Sequence, residues 1–480
     1  MDDFNLIPLL PEIFMAITAM GLLLVGVFNG NQSTRVITWA AAFGAVITAL
    51  VLLGLSWDEQ VVLNGMFVFD KFAGFMKLMI LIGVIASLAL SARFIIEEGM
   101  ERFEYPILIL FAGIGMMFMV SANNLLTLYM GLELQSLSLY ILAAFHRNSL
   151  RSSEAGIKYF LLGALSSGLL LFGMSLIYGF TGSIDFDVIG NALGDGSAVP
   201  VGFTFGLVFL LAGLVFKISA APFHMWTPDV YQGAPSSVTA FFAMVPKVAA
   251  FGLLMRLLFE PFAAVSDQWM QIIYFVSVFS MIVGAFAALV QDDLKRLLAY
   301  SSIGNMGYAL IGLVAGTPEG AGAVVLYLFI YMIMTAGVFA VVLSMRRGGV
   351  SVTKIADLSG LSKTSPAAAY GLFVLMFSMS GIPPMAGFFG KLLVFNAAVA
   401  EGYYILAVLG VLASVVAAFY YLKIVKVMFF DEAADPFDED TSFSRRAVLF
   451  ISVVFVICFV FKPSIFMTST LSAAASLFTG

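Results

Sequence analysis

The chain is a succession of apolar runs parted by short polar loops, and each run is long enough to cross a lipid bilayer. A helix spanning a ~30 Å hydrocarbon core needs about 20 such residues. Every backbone polar group inside the core must be satisfied within the segment or by protein around it. The runs are continuous, whereas a membrane β-strand would alternate apolar and polar over about ten residues. Of 480 residues, 61% are hydrophobic and 11% charged, against about 45–50% and 25% in a soluble domain. Too few polar residues remain to cover a soluble globule. A soluble enzyme, a nucleic-acid binder and a disordered chain are therefore excluded. A single Cys rules out a disulfide framework and a thiolate-ligated cluster. With only two His, His146 and His224, a multi-histidine metal or haem site has no basis.

The expected fold class is an all-α polytopic membrane protein of about 14 transmembrane helices. The spans fall near 6–28, 35–56, 70–96, 105–121, 123–146, 155–180, 202–225, 235–259, 268–290, 294–316, 321–346, 366–400, 402–430 and 444–468. The stretch 105–146 is too long for one helix, and Ser121-Ala122-Asn123-Asn124 divides it. The opening Met1-Asp2-Asp3-Phe4 lacks the positive region of a secretory signal, so the first helix is expected to be retained.

Lys and Arg in the loops set orientation. One side collects Arg35, Arg93, Arg102, Arg147, Arg151, Lys295, Arg296, Arg346, Arg347, Lys354, Lys363, Lys423, Lys426, Arg445 and Arg446. The other has little beyond Lys71 and Lys462, and its loop 181–201 carries Asp185, Asp187 and Asp195 without Lys or Arg. This asymmetry puts the basic loops in the cytoplasm and both termini outside. The acidic run 431–440 lies on the basic side. It reads as a solvated loop, with docking of a partner as the alternative.

Ionisable groups inside apolar runs are the informative residues, because each costs about 2.5–3.5 kcal/mol or more at a helix centre. Glu133 sits in the fifth span, Lys217 in the seventh, Lys247 in the eighth and Lys391 in the twelfth. They must face a bundle interior, with water or each other as partners. One reading is Lys–Glu pairing that fixes helix register. One carboxylate for three ammoniums argues against it. Burial disfavours the charged form of an amine by several pKa units, which brings proton exchange within reach of cellular pH. The four therefore read as a proton-transfer set. Other charges are less distinctive. Lys158, a turn into the sixth span, either snorkels to the surface or belongs to the set. Lys77 and Arg256 are expected to snorkel outward. Lys295 and Arg296, beside Asp292 and Asp293, read as an interfacial charge cluster. His224 reads as hydrogen-bonded structure, and an imidazole titrating near neutrality leaves a proton-entry role open.

Two spans join an ionisable residue to helix breakers. Lys217 precedes Pro222 and Pro228, and Gly381-Ile382-Pro383-Pro384 precedes Lys391. Proline removes a backbone donor and clashes with the preceding turn. Paired broken helices in two halves of a transporter point to the ion path. The seventh and twelfth spans are five helices apart, an odd offset, so spans 4–8 and 9–13 are expected to be inverted repeats. The expected units are 1–104 (three helices), 105–260 and 261–430 (the repeats) and 431–480 (acidic loop and last helix). The lysines then form a lateral row near mid-membrane.

The stretches MGLELQSLSLY, FKISAAPFHMWTPDVYQGAPSSVTAFFAMVPK, QDDLKRLLAYSSIGNMGY and GIPPMAGFFGK resemble the antiporter-like membrane subunits of respiratory NADH–quinone oxidoreductase (complex I). Leu10-Pro11-Glu12-Ile13-Phe14 points to the N-subunit branch of that family, and Lys391 stands where M-type members typically carry Glu. The resemblance implies inverted five-helix units with broken seventh and twelfth helices, a Glu133–Lys217 pair, a central Lys247, a terminal Lys391 and Lys158 on the same proton path. It implies that NADH, FMN, iron–sulfur clusters and quinone are bound by other subunits and that this chain holds no cofactor or metal. Implied partners are lipids and other membrane subunits, M, K and J among them, in a bacterial inner membrane. The expected function is proton export driven by quinone reduction elsewhere, with His224 and Lys295 as secondary candidates on the path. The alternatives are an Mrp-type Na⁺(K⁺)/H⁺ antiporter subunit and a pure scaffold.

Overall fold

A computed structural model describes residues 5–194 and 199–478; Met1, Asp2, Asp3, Phe4 and Asp195 lie outside them. Among the described residues eleven helices are long and apolar enough to cross a membrane. Three more crossings are made from shorter pieces: Glu104–Val120, Val201–Lys217 continued by Trp226–Gly233, and Pro366–Ser380 continued by Ala386–Ala400. The total matches the spans expected from sequence. Ser121–Asn124 does part the fourth helix from the fifth (Leu125–Ala143), and Asn124 caps the fifth by accepting a hydrogen bond from Thr127 N at 2.7 Å.

The eighth span (Ser236–Phe259) is buried along its whole length, and the tenth (Leu294–Val314) and eleventh (Pro318–Ser344) nearly so. They form the centre of the bundle. The outer helices present large side chains such as Phe43, Phe172 and Val415 to the surroundings, as lipid-facing helices must, since hydrocarbon favours apolar contact all round.

The inverted repeat is written in the hydrogen bonds. Leu125 N donates to Ile184 O, and Phe186 N to Asn123 O. In the second half Leu294 N donates to Thr353 O, and Ile355 N to Asp292 O. Each pair lies 169 positions beyond its counterpart (125 and 294, 184 and 353). The tight helix contacts keep the same register: Gly115 lies against Gly131 and Gln135, Gly284 against Tyr300 and Gly304. Five crossings separate the starts of the fifth and tenth helices, so the two motifs sit on opposite faces of the membrane.

Several details depart from the sequence expectations. The fourteenth span is kinked at Lys462–Pro463 and runs on to Ala475 rather than ending near 468, because Pro463 cannot continue the hydrogen-bonded ladder. The loop 181–201 contains a short helix, Phe186–Leu193. Two small hairpins add strand, Gln60–Val62 with Phe67–Phe69 and Arg346–Arg347 with Val350–Ser351. The acidic run is tied to the second hairpin: Gly348 N and Gly349 N donate to Asp438 at 3.0 and 2.8 Å, and Arg347 lies 5.1 Å over the Phe437 ring.

Candidate proton-transfer site

The seventh helix stops at Lys217, because Pro222 and the left-handed backbone of Ser219 (φ 63°) interrupt it. It resumes at Trp226. The twelfth stops at Ser380, with Gly381 (φ 85°) in the corresponding turn, and resumes at Ala386. The local bonding is the same. Ser219 N and Ala220 N return to Phe216 O and Val215 O, as Gly381 N and Ile382 N return to Ser378 O and Phe377 O. Each break leaves a carbonyl beyond the reach of the helix ladder, and in each half a buried lysine takes it. Lys247, from the middle of the eighth helix, donates to Ile218 O at 3.2 Å. Lys391 donates to Ser380 O at 3.1 Å and to Ser414 Oγ at 2.8 Å. Charged donors to such carbonyls make hydrogen bonds about twice as strong as neutral ones.

Lys217 is held by hydroxyls: Ser136 Oγ at 2.8 Å, Tyr140 Oη at 3.4 Å and Ser167 Oγ at 3.5 Å. The Glu133–Lys217 pair implied by the family resemblance is not a direct ion pair here. Glu133 stands one turn before Ser136 on the fifth helix, and its Oε1 is buried with no hydrogen-bond partner in the protein. Lys217, Lys247 and Lys391 are all buried, and among the described residues none has a carboxylate within ion-pair distance. Tyr231 Oη, Ser302 Oγ and Thr335 Oγ1 are likewise buried polar groups in the region between the halves, with Ser302 close to both Tyr231 and Tyr331. Such groups are satisfied by water when the protein offers nothing. Beyond them Tyr327 Oη donates to Asn305 Oδ1 at 2.6 Å, and Ser301 Oγ and Tyr421 Oη lie 2.5 Å apart. These hydroxyls were not singled out from sequence. The available signal was the i, i+3, i+7 spacing of Glu133, Ser136 and Tyr140 on one face of an apolar helix.

The remaining candidates separate. Lys158 is at the rim, its side chain 42% exposed, bonded to Glu154 and Asp229, each at 2.8 Å. Asp229 also binds Arg296 at 2.7 Å. Asp229 is thus shared between a lysine of the sixth helix and an arginine of the tenth. Lys295 does not share this surface cluster: it is buried and donates to Ala234 O at 2.6 Å, at the turn between the seventh and eighth helices. His224 lies in the seventh-helix break, half-buried beside the Pro222 backbone. Lys77 and Arg256 do not snorkel. Lys77 is fully buried, 2.7 Å from Glu12. Arg256 is buried between Asp70 at 3.0 Å and Glu260 at 2.6 Å. Both found carboxylates on other segments or the next turn, which removes the need to reach water.

Two inverted five-helix units, each opened by a broken helix with a buried lysine on the freed carbonyl, define an antiporter-like membrane protein. A family model described as NADH:quinone oxidoreductase/Mrp antiporter, TM, matches residues 122–417. NADH-quinone oxidoreductase subunit N of Parvibaculum lavamentivorans is 54% identical over 472 residues, 98% of this chain and 97% of that protein. The subunit N of Rhodospirillum rubrum is 51% identical over 98% of this chain and 97% of its own length. Among solved structures, a chain of respiratory complex I from Thermus thermophilus matches with a TM-score of 0.81 at 32% identity, covering 96% of this chain and 99% of that one. A chain of the Mrp complex from Dietzia sp. matches with a TM-score of 0.85 at 22% identity, covering 99% and 98%, a likeness of fold. The chain belongs to the NADH:quinone oxidoreductase/Mrp antiporter family, in its NADH-quinone oxidoreductase subunit N branch.

Proposed function

We propose that this chain is the proton-translocating subunit of a bacterial NADH–quinone oxidoreductase and that Glu133, Lys217, Lys247 and Lys391 carry the protons. The observation that supports it is the row of buried ammoniums held by hydroxyls and freed carbonyls instead of carboxylates. A lysine locked to a carboxylate keeps its proton; one held by dipoles can give it up and remain hydrogen-bonded. Residues 105–260 and 261–430 are the two working halves, with 1–104 and 431–480 as flanks. The basic loops face the cytoplasm and both termini the periplasm.

In this reading NADH, FMN, iron–sulfur clusters and quinone belong to other subunits, with M, K and J among the membrane neighbours. Quinone reduction there changes the charge next to Glu133. The change alters the field on Lys217, which passes its proton toward Lys247 through the Ser136 and Tyr140 hydroxyls and water. Lys391 or a nearby outlet releases a proton outward while the cytoplasmic side reloads. Lys158, His224 and Lys295, at or near the basic side, are the reloading candidates. Each transfer of charge through part of the membrane is small against the ~2.3 kcal/mol needed per charge for 100 mV. The test is Lys217→Ala and Glu133→Ala in the assembled complex, with protons pumped per NADH oxidised as the readout. A fall in that ratio is expected; wild-type pumping in both variants would refute the assigned roles. An Mrp-type Na⁺/H⁺ exchange would instead appear as sodium-dependent pumping by the same complex.

A further inference from the structure

On the basic side, a groove of about 960 Å³ opens between the eleventh, twelfth and fourteenth helices. Its floor is apolar, with Val374, Leu449 and Ile457 among its walls. Its mouth is charged with both signs. Arg446 is exposed, bonds only the Asp440 carbonyl and has no ion-pair partner among the described residues. Glu439 is exposed at the same mouth, without a hydrogen-bond or ion-pair partner among them. Arg445 is buried and already paired with two carboxylates, Glu97 at 2.6 Å and Asp440 at 3.5 Å. From Arg446 to Ile457 the helix descends about 16 Å at 1.5 Å per residue, the depth of one leaflet of a ~30 Å core.

We infer that this groove binds one zwitterionic phospholipid of the ethanolamine class, with its phosphate at Arg446, its ammonium at Glu439 and an acyl chain along the apolar wall. The charges choose the headgroup. A free guanidinium beside a free carboxylate matches a phosphate joined to an ammonium, whereas a purely anionic headgroup would be repelled by Glu439 and its acidic neighbours Asp438 and Asp440. The site lies away from the buried lysine row and does not depend on it.

The test uses the whole complex purified in mild detergent, with retained phospholipid quantified by mass spectrometry. After delipidation, rebinding is measured from vesicles of phosphatidylethanolamine or of phosphatidylglycerol. The exposed-site variants Arg446→Gln and Glu439→Gln leave the fold intact, so loss of binding reads on the site. Each is expected to weaken ethanolamine-lipid retention about 1.5-fold to fivefold, the range for losing one exposed charge contact, and Glu439→Gln is expected to gain phosphatidylglycerol relative to the wild type. Equal retention in wild type and both variants would overturn the inference. So would a wild-type preference for phosphatidylglycerol, or crosslinks from the groove to a helix of a neighbouring subunit in place of lipid.

Discussion

The Lys77–Glu12 pair gives the sharpest test of how buried charge is used in this chain. Both groups are fully buried and 2.7 Å apart, and the ammonium also lies 4.5 and 4.9 Å over the Phe67 and Phe69 rings. At an effective dielectric of about 20 their attraction is ~6 kcal/mol, most of it offset by the desolvation of both ions. Lys77→Met alone strands the carboxylate and is expected to destabilise by about 3–5 kcal/mol. That is a rise of about a hundredfold to several thousandfold in the population opened at this site. Lys77→Met with Glu12→Met removes both ions, fills the space with apolar atoms and should recover most of the loss. The assay is the fraction of the complex that keeps this subunit after a graded heat challenge, alongside protons pumped per NADH. The single variant should fall apart at lower temperature, and the double should hold together and pump at the wild-type ratio. A double variant as fragile as the single, or one that is stable but pumps less, would refute the structural reading of this pair.

Two further predictions concern the rim and the helix packing. Asp229 joins Lys158 of the sixth helix to Arg296 of the tenth, at 2.8 and 2.7 Å. Asp229→Asn removes the shared charge and leaves Lys158 with Glu154 alone, 2.8 Å away, so it is expected to change the pH dependence of proton pumping measured in vesicles; an unchanged profile would place Lys158 outside the proton path. Gly284→Ala would put a Cβ 2.8 Å from Tyr300 O, whereas Gly168 has open space around it. The first should cost about 1–3 kcal/mol or more and Gly168→Ala nothing, read as heat resistance of the complex.

The helices were legible because apolar runs of bilayer length admit one solution, and the repeat because an odd helix offset fixes inversion. The proline-marked breaks were legible for the same kind of reason, since Pro222 and Pro384 remove donors wherever they stand. Partners were not. That Glu12 meets Lys77, or Asp70 meets Arg256, depends on how helices far apart in sequence rotate against each other, and no local pattern carries that rotation. Lys77 and Arg256 look like ordinary snorkelling residues from position alone. Their carboxylates, Glu12 and Asp70, sit at the starts of the first and third helices, where an acid is also a plain helix-end residue.

The buried cations thus fall into two groups by what they hold. Lys77 and Arg256 are neutralised by carboxylates: Lys77–Glu12 ties the third helix to the first, and Arg256–Asp70 ties the eighth helix to the start of the third. Lys217, Lys247 and Lys391 donate to hydroxyls and main-chain carbonyls. Packing alone would favour the first arrangement or an apolar substitute, because a dipole offsets less of an ion's desolvation than a counter-charge does. The repeat register sharpens the contrast. Ser302 stands 169 positions after Glu133, and 136 corresponds likewise to Asn305, so the second half carries a hydroxyl where the first carries an acid. Within this register the acid belongs to the first half alone, so on the proposed proton path a change of charge beside it would act on one end of the row and not on both. A row that responds at one end has a direction, whereas two identical halves facing opposite sides would have none.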